Sequence, residues 1–403
     1  MRLESSLQAG ALSPDRVASH LAGLDGGISH IYLHLPFCER ICPYCDFSAS
    51  VGAGTDVQAF VGSLKKEADL LDRAGIFTNL RLDGGTLYLG GGTPSWFEPD
   101  VLAHILAWIG RAFGRDWVEA TLEMNPEHAD RRRLNTLRRG RINRLSVGVQ
   151  SLDPAVLRRL GRAHSPEDAR AAVTAARSED FTLSVDLIFA VPGQDLQGWH
   201  SDIEGILRME PDHVSIYSLT YEPGTPFARW LGSGRIEALD DDWQAEAYGW
   251  AAERLRSEGY ERYEVSNFAR PGRASVHNRA YWEGSPYLGM GPSAHSLLGR
   301  VRTANLFQLE DWEGALADEN RIPWESAEML DDLSIARERV LLGLRTSKGL
   351  DLNSIPSRYR QEVEERSGEA AGEGLARWED ENTLVLSNRG ILLADLLAVR
   401  IAP

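Results

Sequence analysis

Residues 31–47 read IYLHLPFCERICPYCDF, a short apolar run followed at once by a cysteine cluster. Cys38, Cys42 and Cys45 are the only cysteines in the chain, and they form a C-x3-C-x2-C set. Three thiolates can hold three corners of an iron–sulfur cube, which usually takes four protein ligands. The spacing therefore predicts a cluster with one open iron, which can bind a small molecule and take part in chemistry.

Disulfide bonds, a zinc site and buried structural thiols each meet a specific obstacle as roles for these cysteines. Disulfides prefer an even number of cysteines, and this chain has three. A structural zinc ion needs a fourth ligand, which His34 could supply, but H-x3-C-x3-C-x2-C is not a usual zinc spacing. Buried structural thiols are expected to be scattered through a core rather than clustered behind one strand. A zinc-bound structural module is kept as the non-catalytic alternative.

The composition of the chain limits its partners. It has 403 residues, a formal net charge of -16 and a pI of about 5.2. This charge repels phosphate backbones, so we expect no nucleic acid partner despite the run Arg131-Arg132-Arg133. No stretch approaches the ~18 apolar residues of a membrane span, and residues 1–30 lack an apolar signal core. We expect a cytoplasmic protein, where thiolates stay reduced, and leave peripheral contact with a membrane open.

Strand and helix patterns alternate along the first half of the chain. A helical stripe follows Pro99, with apolar residues recurring at 3.6-residue spacing up to Phe113. Such alternation implies a parallel sheet with helices packed outside it. The sequence predicts an α/β fold with a partial (β/α)6 barrel, and a doubly wound sheet is the alternative. The six apolar runs begin near Ile31, Leu87, Val118, Leu145, Leu183 and Val214.

Changes in this rhythm predict four regions. Residues 1–28 form an N-terminal arm with a helix beginning at Ser13-Pro14, and residues 29–235 form the barrel. Residues 236–305 extend the barrel and contain a helix from about Trp243 and loops rich in Gly, Tyr and Trp. Residues 306–403 form a mainly helical accessory domain. A winged helix would fit this last region, but its acidic helices argue against binding DNA.

The predicted strand ends carry polar or glycine-rich segments. In parallel β/α barrels reactive residues collect where strands end, because several loops converge there. The second strand ends in Gly90-Gly91-Gly92-Thr93-Pro94, where a ligand could approach the backbone closely. Glu123, Gln150 and Asp186 lie at or near the ends of the next three strands, and buried carboxylates there favour a shared ligand. Arg162 fits either a carboxylate of that ligand or a surface salt bridge.

These motifs resemble the radical S-adenosylmethionine (SAM) superfamily, whose signature is C-x3-C-x2-C with an aromatic residue, here Tyr44, before the last cysteine. The strings YLHLPFCERICPYCDF, LGGGTPS, SVGVQS and DLIFAVPGQ are similar to the oxygen-independent coproporphyrinogen III oxidase family. The resemblance implies that the three cysteines hold a [4Fe-4S] cluster whose open iron is chelated by SAM. It implies SAM contacts at Tyr32, Tyr44, Gly91, Gly92, Thr93, Glu123, Gln150, Arg162 and Asp186.

Two differences from the oxidases of that family indicate which branch of the family this chain resembles. True oxidases resemble one another in a C-x3-C-x2-C-x-C run and a long N-terminal arm, whereas this chain has Phe47 at the fourth cysteine position and a short arm. The segment H-N-R-A-Y-W at residues 277–282 resembles the H-N-x-x-Y-W element of the family's heme chaperone branch. A neutral histidine is a common heme ligand, and Tyr and Trp can pack against the macrocycle. The resulting heme candidates are His277, Asn278, Tyr281, Trp282 and, from the following P-Y-L-G-M-G-P-S-A-H-S, His295.

The resemblance therefore implies a heme chaperone that carries a [4Fe-4S] cluster and SAM and passes heme to an acceptor apoprotein. An electron donor would reduce the cluster. No catalytic residue is identified, and enzyme activity is left open because of Phe47. The first alternative is an oxygen-independent coproporphyrinogen III oxidase, which converts propionates to vinyl groups. The second is a radical SAM methyltransferase or cyclopropanase acting on a small molecule.

Overall fold

A twelve-stranded sheet forms the centre of the computed structural model, which describes residues 12–21, 27–318 and 321–403. The described residues contain seventeen strands, of which all but β2, β3, β15, β16 and β17 belong to this sheet, and β2 pairs with β3 separately. They are β1 His30–Leu35, β2 Phe37–Cys38, β3 Ser50–Val51, β4 Thr86–Gly91, β5 Glu119–Met124, β6 Arg144–Gln150, β7 Thr182–Phe189, β8 His213–Ser218, β9 Glu261–Arg262, β10 Asn267–Ala269, β11 Tyr287–Met290, β12 His295–Leu298, β13 Val301–Asn305, β14 Trp324–Met329, β15 Leu350–Asp351, β16 Ala376–Trp378 and β17 Thr383–Leu386.

The helices lie mostly between these strands in the chain. They are α1 Pro14–Leu21, α2 Val57–Arg73, α3 Pro99–Ala112, α4 Arg131–Arg139, α5 Pro154–Arg159, α6 Pro166–Ser178, α7 Leu196–Leu207, α8 Pro226–Gly232, α9 Asp241–Ser257, α10 Val276–Trp282, α11 Leu309–Ala315, α12 Asp332–Leu344, α13 Ser357–Gly372, α14 Asn388–Ile391 and α15 Ala394–Ile401. Single 3-10 turns occur at Phe77–Asn79, Pro94–Trp96, Pro126–His128 and Leu352–Ser354.

The six predicted β/α units form a consecutive parallel row. Strands β1, β4, β5, β6, β7 and β8 are neighbours in that order, and each pairs in parallel with the next. In a doubly wound sheet, the order of the strands across the sheet changes direction at a central strand. These six strands instead follow one another in chain order, which confirms the predicted partial barrel and excludes the doubly wound alternative. The outermost strands of the sheet, β14 and β9, do not pair with each other in the described part of the chain. The barrel is therefore open.

The sheet also extends beyond the six predicted strands. Strand β11 pairs in parallel with the free side of β1, and β12, β13 and β14 continue antiparallel from it. On the other edge β10 and β9 add an antiparallel hairpin to β8. Strand β14 lies beyond the predicted boundary at residue 306, so the large sheet includes part of that region. The four-part division of the chain stays a prediction.

The barrel strands alternate between apolar residues that pack against the outer helices and polar or small residues that point inward. This period of two places one set of side chains on each face of the sheet. Closed barrels usually fill their interior with branched apolar residues, so a polar interior suits a ligand. The inward row comprises His30, Tyr32, His34, Thr86, Tyr88, Gly90, Glu119, Thr121, Glu123, Arg144, Ser146, Gly148, Ser184, Asp186, His213, Ser215 and Tyr217.

Helix predictions are confirmed where the apolar stripe is continuous. Helix α3 begins at Pro99 and buries Leu102, Ile105 and Ile109 on one face. Helix α9 covers the predicted segment after Trp243, and α1 begins at Pro14 as expected for the arm. Residues 1–11 and 22–26 of the predicted arm lie outside the described residues.

The C-terminal region combines helices with a separate small sheet. Strands β15, β17 and β16 form a three-stranded antiparallel sheet, against which α12 and α13 pack. Helix α15 packs on α12 and α13. The C-terminal region is mainly helical, as the sequence predicted.

Candidate functional site

The cysteine loop lies at the carboxyl end of β1, on the rim of the barrel. Cys38 sits on β2, and the N–H of Cys45 donates to the carbonyl of Cys42 at 3.1 Å, which closes a tight turn. The N–H of Phe227 on α8 donates to the carbonyl of Pro43 at 3.0 Å and fixes the far side of the loop. All three cysteines are free, half-buried and line one cavity of about 380 Å³.

The sulfur positions do not match the geometry of a single bound zinc ion. Zinc bound by three thiolates would hold the sulfurs within roughly 3.8 Å of one another. The Sγ atoms of Cys38, Cys42 and Cys45 do not all lie within 4.8 Å of one another. His34, the predicted fourth zinc ligand, uses Nε2 for the Ser48 carbonyl at 2.8 Å and Nδ1 for the Tyr32 hydroxyl at 3.0 Å. Neither ring nitrogen of His34 is therefore free for a metal.

Burial keeps the thiols of Cys38 and Cys45 protonated when no metal is bound. It raises the pKa of Cys45 to about 11 and also raises the pKa of Cys38. The Sγ of Cys38 lies 3.3 Å from Thr93 Oγ1, in hydrogen-bond contact. Metal binding must then displace protons from the thiols, as it does in other thiolate sites.

The structure brings the predicted SAM residues, except Tyr32, to this single cavity. Tyr32 lies behind the wall, where its ring stacks on Tyr88 with 6.1 Å between centroids. The predicted residues that line the cavity are Tyr44, Gly91, Gly92, Thr93, Glu123, Gln150, Arg162 and Asp186. Residues from four parallel strands and from the loops that follow them thus meet at the carboxyl rim, where the sequence predicted a shared ligand.

Two polar groups in the cavity wall have no partner in the described part of the chain. They are Gln150 Oε1 and Arg162 Nε, both buried. Gln150 also has a positive φ of 64°, a strained conformation for a residue other than glycine. Buried polar groups are almost always hydrogen-bonded, so unpaired ones in a cavity wall indicate that the cavity is built for a polar ligand.

Arg162 is not part of a surface salt bridge, which was the alternative expected for it. Its Nη2 donates to Asn125 Oδ1 at 2.5 Å and to the carbonyl of Gly148 at 3.2 Å, and Nη1 lies 3.7 Å from Cys42 Sγ. The arginine therefore connects the ends of β5 and β6 to the cysteine loop and brings a positive charge to the cysteine side of the cavity.

Two carboxylates form the inner wall of the cavity. Glu123 accepts hydrogen bonds from the Tyr88 hydroxyl at 2.9 Å and from the Gly91 N–H at 3.3 Å. Burial raises the pKa of Glu123 to about 7, partly opposed by the Tyr88 hydrogen bond. Burial also raises the pKa of Asp186. Asp186 accepts hydrogen bonds from the hydroxyls of Ser146, Ser215 and Ser184 at 2.7, 2.7 and 3.3 Å.

The supporting residues Tyr88, Ser146, Ser184 and Ser215 were missed in the sequence. They lie inside strands rather than at the strand ends, where functional residues were expected. The strict alternation of polar and apolar residues in strings such as R-L-S-V-G-V-Q would have identified them as one inward face. This alternation alone would have been enough to identify them, without any motif of special spacing.

Packing alone requires glycine at two positions of the glycine-rich segment, Gly91 and Gly92. Gly91 has φ of 109°, and a Cβ there would lie 2.6 to 2.7 Å from the ring of His34. A Cβ on Gly92 would lie 2.7 Å from the backbone of Pro36. Glycine lets β4 cross close to the segment that leads into the cysteine loop.

The H-N-R-A-Y-W segment forms α10 at the opposite, amino end of the barrel. Glu119, the first residue of β5, accepts hydrogen bonds from Ser275 Oγ at 2.9 Å and from the N–H groups of Val276 and His277 at 3.0 and 2.9 Å. This buried carboxylate compensates the free N–H groups that begin a helix. The helix is held beneath the strands, far along the barrel from the cysteine rim.

His277 points into the barrel from this helix and is 1% exposed. Its Nδ1 bonds to Thr86 Oγ1 at 2.7 Å and its Nε2 to the Tyr281 hydroxyl at 2.9 Å. Its ring stacks on Tyr88 with 5.1 Å between centroids. Burial lowers the pKa of His277 to about 3, so the ring is neutral. In this conformation both ring nitrogens are engaged.

The remaining heme candidates lie on different surfaces. Asn278 Nδ2 donates to the Tyr263 hydroxyl at 3.1 Å, and Trp282 lines a second cavity outside the barrel. His295 is exposed at the start of β12. The structure therefore does not bring the predicted heme residues to one site, as it does for the SAM residues.

Comparisons with known proteins show the family to which this chain belongs. A family model described as the radical SAM superfamily matches residues 32–204. Heme chaperone HemW of Mycobacterium tuberculosis is 35% identical over 384 residues, covering 93% of this chain and 95% of its own length. Heme chaperone HemW of Bacillus subtilis is 31% identical over 337 residues, covering 83% and 87%. This chain belongs to the radical SAM superfamily and, within it, to the heme chaperone branch of the oxygen-independent coproporphyrinogen III oxidase family.

A solved structure shows the same fold. Coproporphyrinogen III oxidase (HemN) of Escherichia coli, described as a radical SAM enzyme, superposes with a TM-score of 0.82 and covers 97% of this chain and 94% of its own. At 22% identity this likeness shows the fold alone. Membership of the superfamily implies a [4Fe-4S] cluster and SAM, and the cysteine spacing and unpaired wall groups fit both. No helix in the described ranges is long and apolar enough to span a bilayer.

Proposed function

We propose that this protein is a heme chaperone, which binds heme and transfers it to an acceptor protein in the cytoplasm. The observation that supports this most strongly is the 31% to 35% identity to proteins named heme chaperone HemW over most of both chains. The H-N-R-A-Y-W segment, which is anchored as α10 beneath the barrel, adds a local reason. A heme-accepting apoprotein and an electron donor would be its partners.

We assign the cavity at the cysteine rim to the cluster and SAM. Cys38, Cys42 and Cys45 would hold three irons. The carboxylates Glu123 and Asp186 suit the hydroxyl and amino groups of SAM. When bound, the cluster and SAM would supply one-electron chemistry at this rim. Tyr44, Gly91, Gly92, Thr93, Gln150 and Arg162 would complete the walls, with Tyr32 supporting Tyr88 from behind.

Phe47 argues against the oxidase alternative. It occupies the position of the fourth oxidase cysteine, lines the mouth of the cavity and is 64% exposed. A phenyl ring there cannot ligate metal. Anoxic incubation of the reconstituted protein with coproporphyrinogen III, SAM and a reductant should give no protoporphyrinogen. Stoichiometric protoporphyrinogen would overturn the chaperone assignment.

Heme binding is tested by absorbance titration of the wild type, His277→Ala and His295→Ala. Binding of one heme per chain with a shifted Soret band is expected for the wild type, and its absence would overturn the proposal. For His277 to ligate iron, its Nε2 must exchange the Tyr281 hydroxyl for the metal. A changed spectrum in His277→Ala alone would identify it as the ligand, and unchanged spectra in both variants would remove both candidates.

Transfer is tested with the heme-loaded protein and an apo form of a b-type heme protein. Direct transfer predicts a rate that rises with the concentration of acceptor. A rate that equals spontaneous heme dissociation and is independent of the acceptor would show that heme only leaks into solution.

A further inference from the structure

A second cavity of about 510 Å³ lies outside the barrel, between α10, α12 and the β9–β10 hairpin. Its size is in the range of small-molecule sites, which are typically ~300 to 1,000 Å³. The cavity is separate from the cysteine rim, and none of its lining residues lines the cluster cavity. Part of its wall comes from the H-N-R-A-Y-W helix, through Arg279 and Trp282.

Helix α10 divides its side chains between two surfaces. His277 and Tyr281, four residues apart, point into the barrel and bond to each other. Arg279 and Trp282, three residues apart, share the opposite side and line the cavity. The same short helix therefore closes the barrel with one face and forms a cavity wall with the other.

Two buried donors on this outer face have no acceptor among the described residues. They are Arg279 Nε and Trp282 Nε1. The Arg279 side chain forms no ion pair or hydrogen bond with any described residue. A buried donor without an acceptor is costly, and a half-buried guanidinium usually finds a carboxylate. Such an arrangement is typical of a binding site in which a bound ligand supplies the acceptor for these two donors.

Three further cations around the cavity already have partners. Lys348 Nζ bonds to Glu283 Oε1 at 2.5 Å, and Arg339 donates to the Glu283 carbonyl. The Arg270 guanidinium lies over an aromatic ring at 4.6 Å from its centroid. Compared with these three side chains, Arg279 keeps its donors unused, and its planar fork matches the two oxygens of a carboxylate.

We propose that this cavity is a carboxylate-binding site that holds the propionate edge of heme, with Arg279 and Trp282 Nε1 as donors. The inference rests on the proposed function, because it takes heme as the cargo. It places the polar edge of the porphyrin on the outer face of α10, where Trp282 Nε1 lies on the same side as Arg279. The Arg345 guanidinium packs over the Trp282 ring at 5.5 Å from its centroid.

The test compares heme with heme dimethyl ester, which lacks free carboxylates, in absorbance titrations at constant salt. Wild type should bind heme about tenfold more tightly than the ester, the value of one charge-assisted hydrogen bond. Arg279→Gln should lose that tenfold difference and bind the ester as wild type does. Arg279→Lys should keep part of the preference, because the charge remains.

Arg256→Gln is the matched control, since Arg256 lies on the exposed part of α9 and pairs only with Glu253 among the described residues. It should bind both ligands as wild type does. Trp282→Phe keeps an aromatic ring but removes the donor, and should weaken heme binding and not ester binding. Melting curves of each variant verify folding.

The outcomes separate this inference from the proposed function. If wild type prefers heme but Arg279→Gln keeps the full preference, or if wild type binds the ester as tightly as heme, the carboxylate site is wrong while heme binding stands. If wild type binds neither ligand, the proposed function itself fails.

Discussion

The Tyr88 hydroxyl donates a hydrogen bond to Glu123 Oε1 at 2.9 Å, inside the barrel. The phenol ring of the same residue stacks on His277. Tyr88 therefore contacts both the carboxylate of the cluster cavity and the helix that closes the amino end. The two ends of the barrel are connected through one side chain.

Replacing Tyr88 with phenylalanine should weaken SAM binding. The Tyr88 hydrogen bond lowers the pKa of Glu123 against the effect of burial, which raises it to about 7. Without that bond the pKa rises further, and more of Glu123 is protonated at neutral pH. We expect about tenfold weaker binding near pH 7 and recovery of affinity toward pH 9, measured by anoxic calorimetry.

Tyr359→Phe is the control for this substitution, because Tyr359 lies on α13 in the C-terminal region and contacts Arg358. It should leave SAM affinity unchanged at every pH. A Tyr88→Phe affinity equal to wild type across this pH range would show that Glu123 does not act as an ionised acceptor for SAM.

Replacing Gly91 with alanine should destabilise the apoprotein by about 2 to 4 kcal/mol. The new Cβ would meet the His34 ring, and the positive φ adds backbone strain. The measurement is urea unfolding of the protein without metal, which separates packing from cluster loss. Gly62→Ala on α2 is the control, since a Cβ there meets nothing within 4 Å. Equal stability of Gly91→Ala and wild type would contradict the packing explanation.

Replacing Glu119 with glutamine should loosen α10 while leaving the barrel strands intact. The carboxylate accepts three hydrogen bonds at the start of the helix, and an amide adds a donor that faces other donors. A loss of about 2 kcal/mol corresponds to roughly 30-fold faster amide exchange over residues 276–282. Hydrogen exchange measured by mass spectrometry tests this.

Glu253→Gln, an exposed substitution on α9, is the matched control for exchange. It should leave the exchange of α10 unchanged. Exchange of α10 in Glu119→Gln that matches wild type would mean that further contacts hold the helix.

The buried carboxyl of Glu67 should make folding stability depend on pH. Glu67 is 0% exposed on α2, and burial raises its pKa to about 7, partly opposed by a hydrogen bond from the Gly291 N–H at 2.8 Å. The folded state therefore holds a proton that the unfolded state, with a pKa near 4.5, releases. The contribution of Glu67 to the free energy of unfolding is therefore greatest below about pH 4.5. It falls by up to about 3 kcal/mol as the pH rises to about 7.

Glu67→Gln removes the titrating group and should flatten this part of the profile. Urea unfolding of both proteins between pH 5 and pH 8 measures the difference. A wild type and variant with parallel stability profiles over this range would show that Glu67 does not titrate as burial indicates.

Local sequence patterns predicted the fold and the cysteine site well. The six apolar runs became β1 and β4–β8, and the cysteine triad behind the first strand lines a cavity with Glu123 and Asp186. Each of these depends on residues close together in the chain. The period of two sets which face of a strand is apolar, and parallel strands bring their carboxyl ends to one rim.

Contacts between distant segments were not predictable in this way. The sequence did not reveal that β11 pairs with β1, or that Arg162 reaches Asn125 rather than a surface carboxylate. Nor did it show that His277 would fill the barrel interior while Arg279 faces a separate cavity.

The sequence by itself predicted three cysteine ligands of a cluster at the carboxyl rim of a β/α barrel, together with polar groups at the ends of the strands. Only the tertiary structure decided that α10 covers the other end of that barrel and joins it to the cluster cavity through Tyr88. The physical reason is that periodicity and ligand spacing act between near neighbours. The choice of a covering helix more than a hundred residues away depends on the summed packing and hydrogen bonding of the whole fold, including the carboxylate of Glu119.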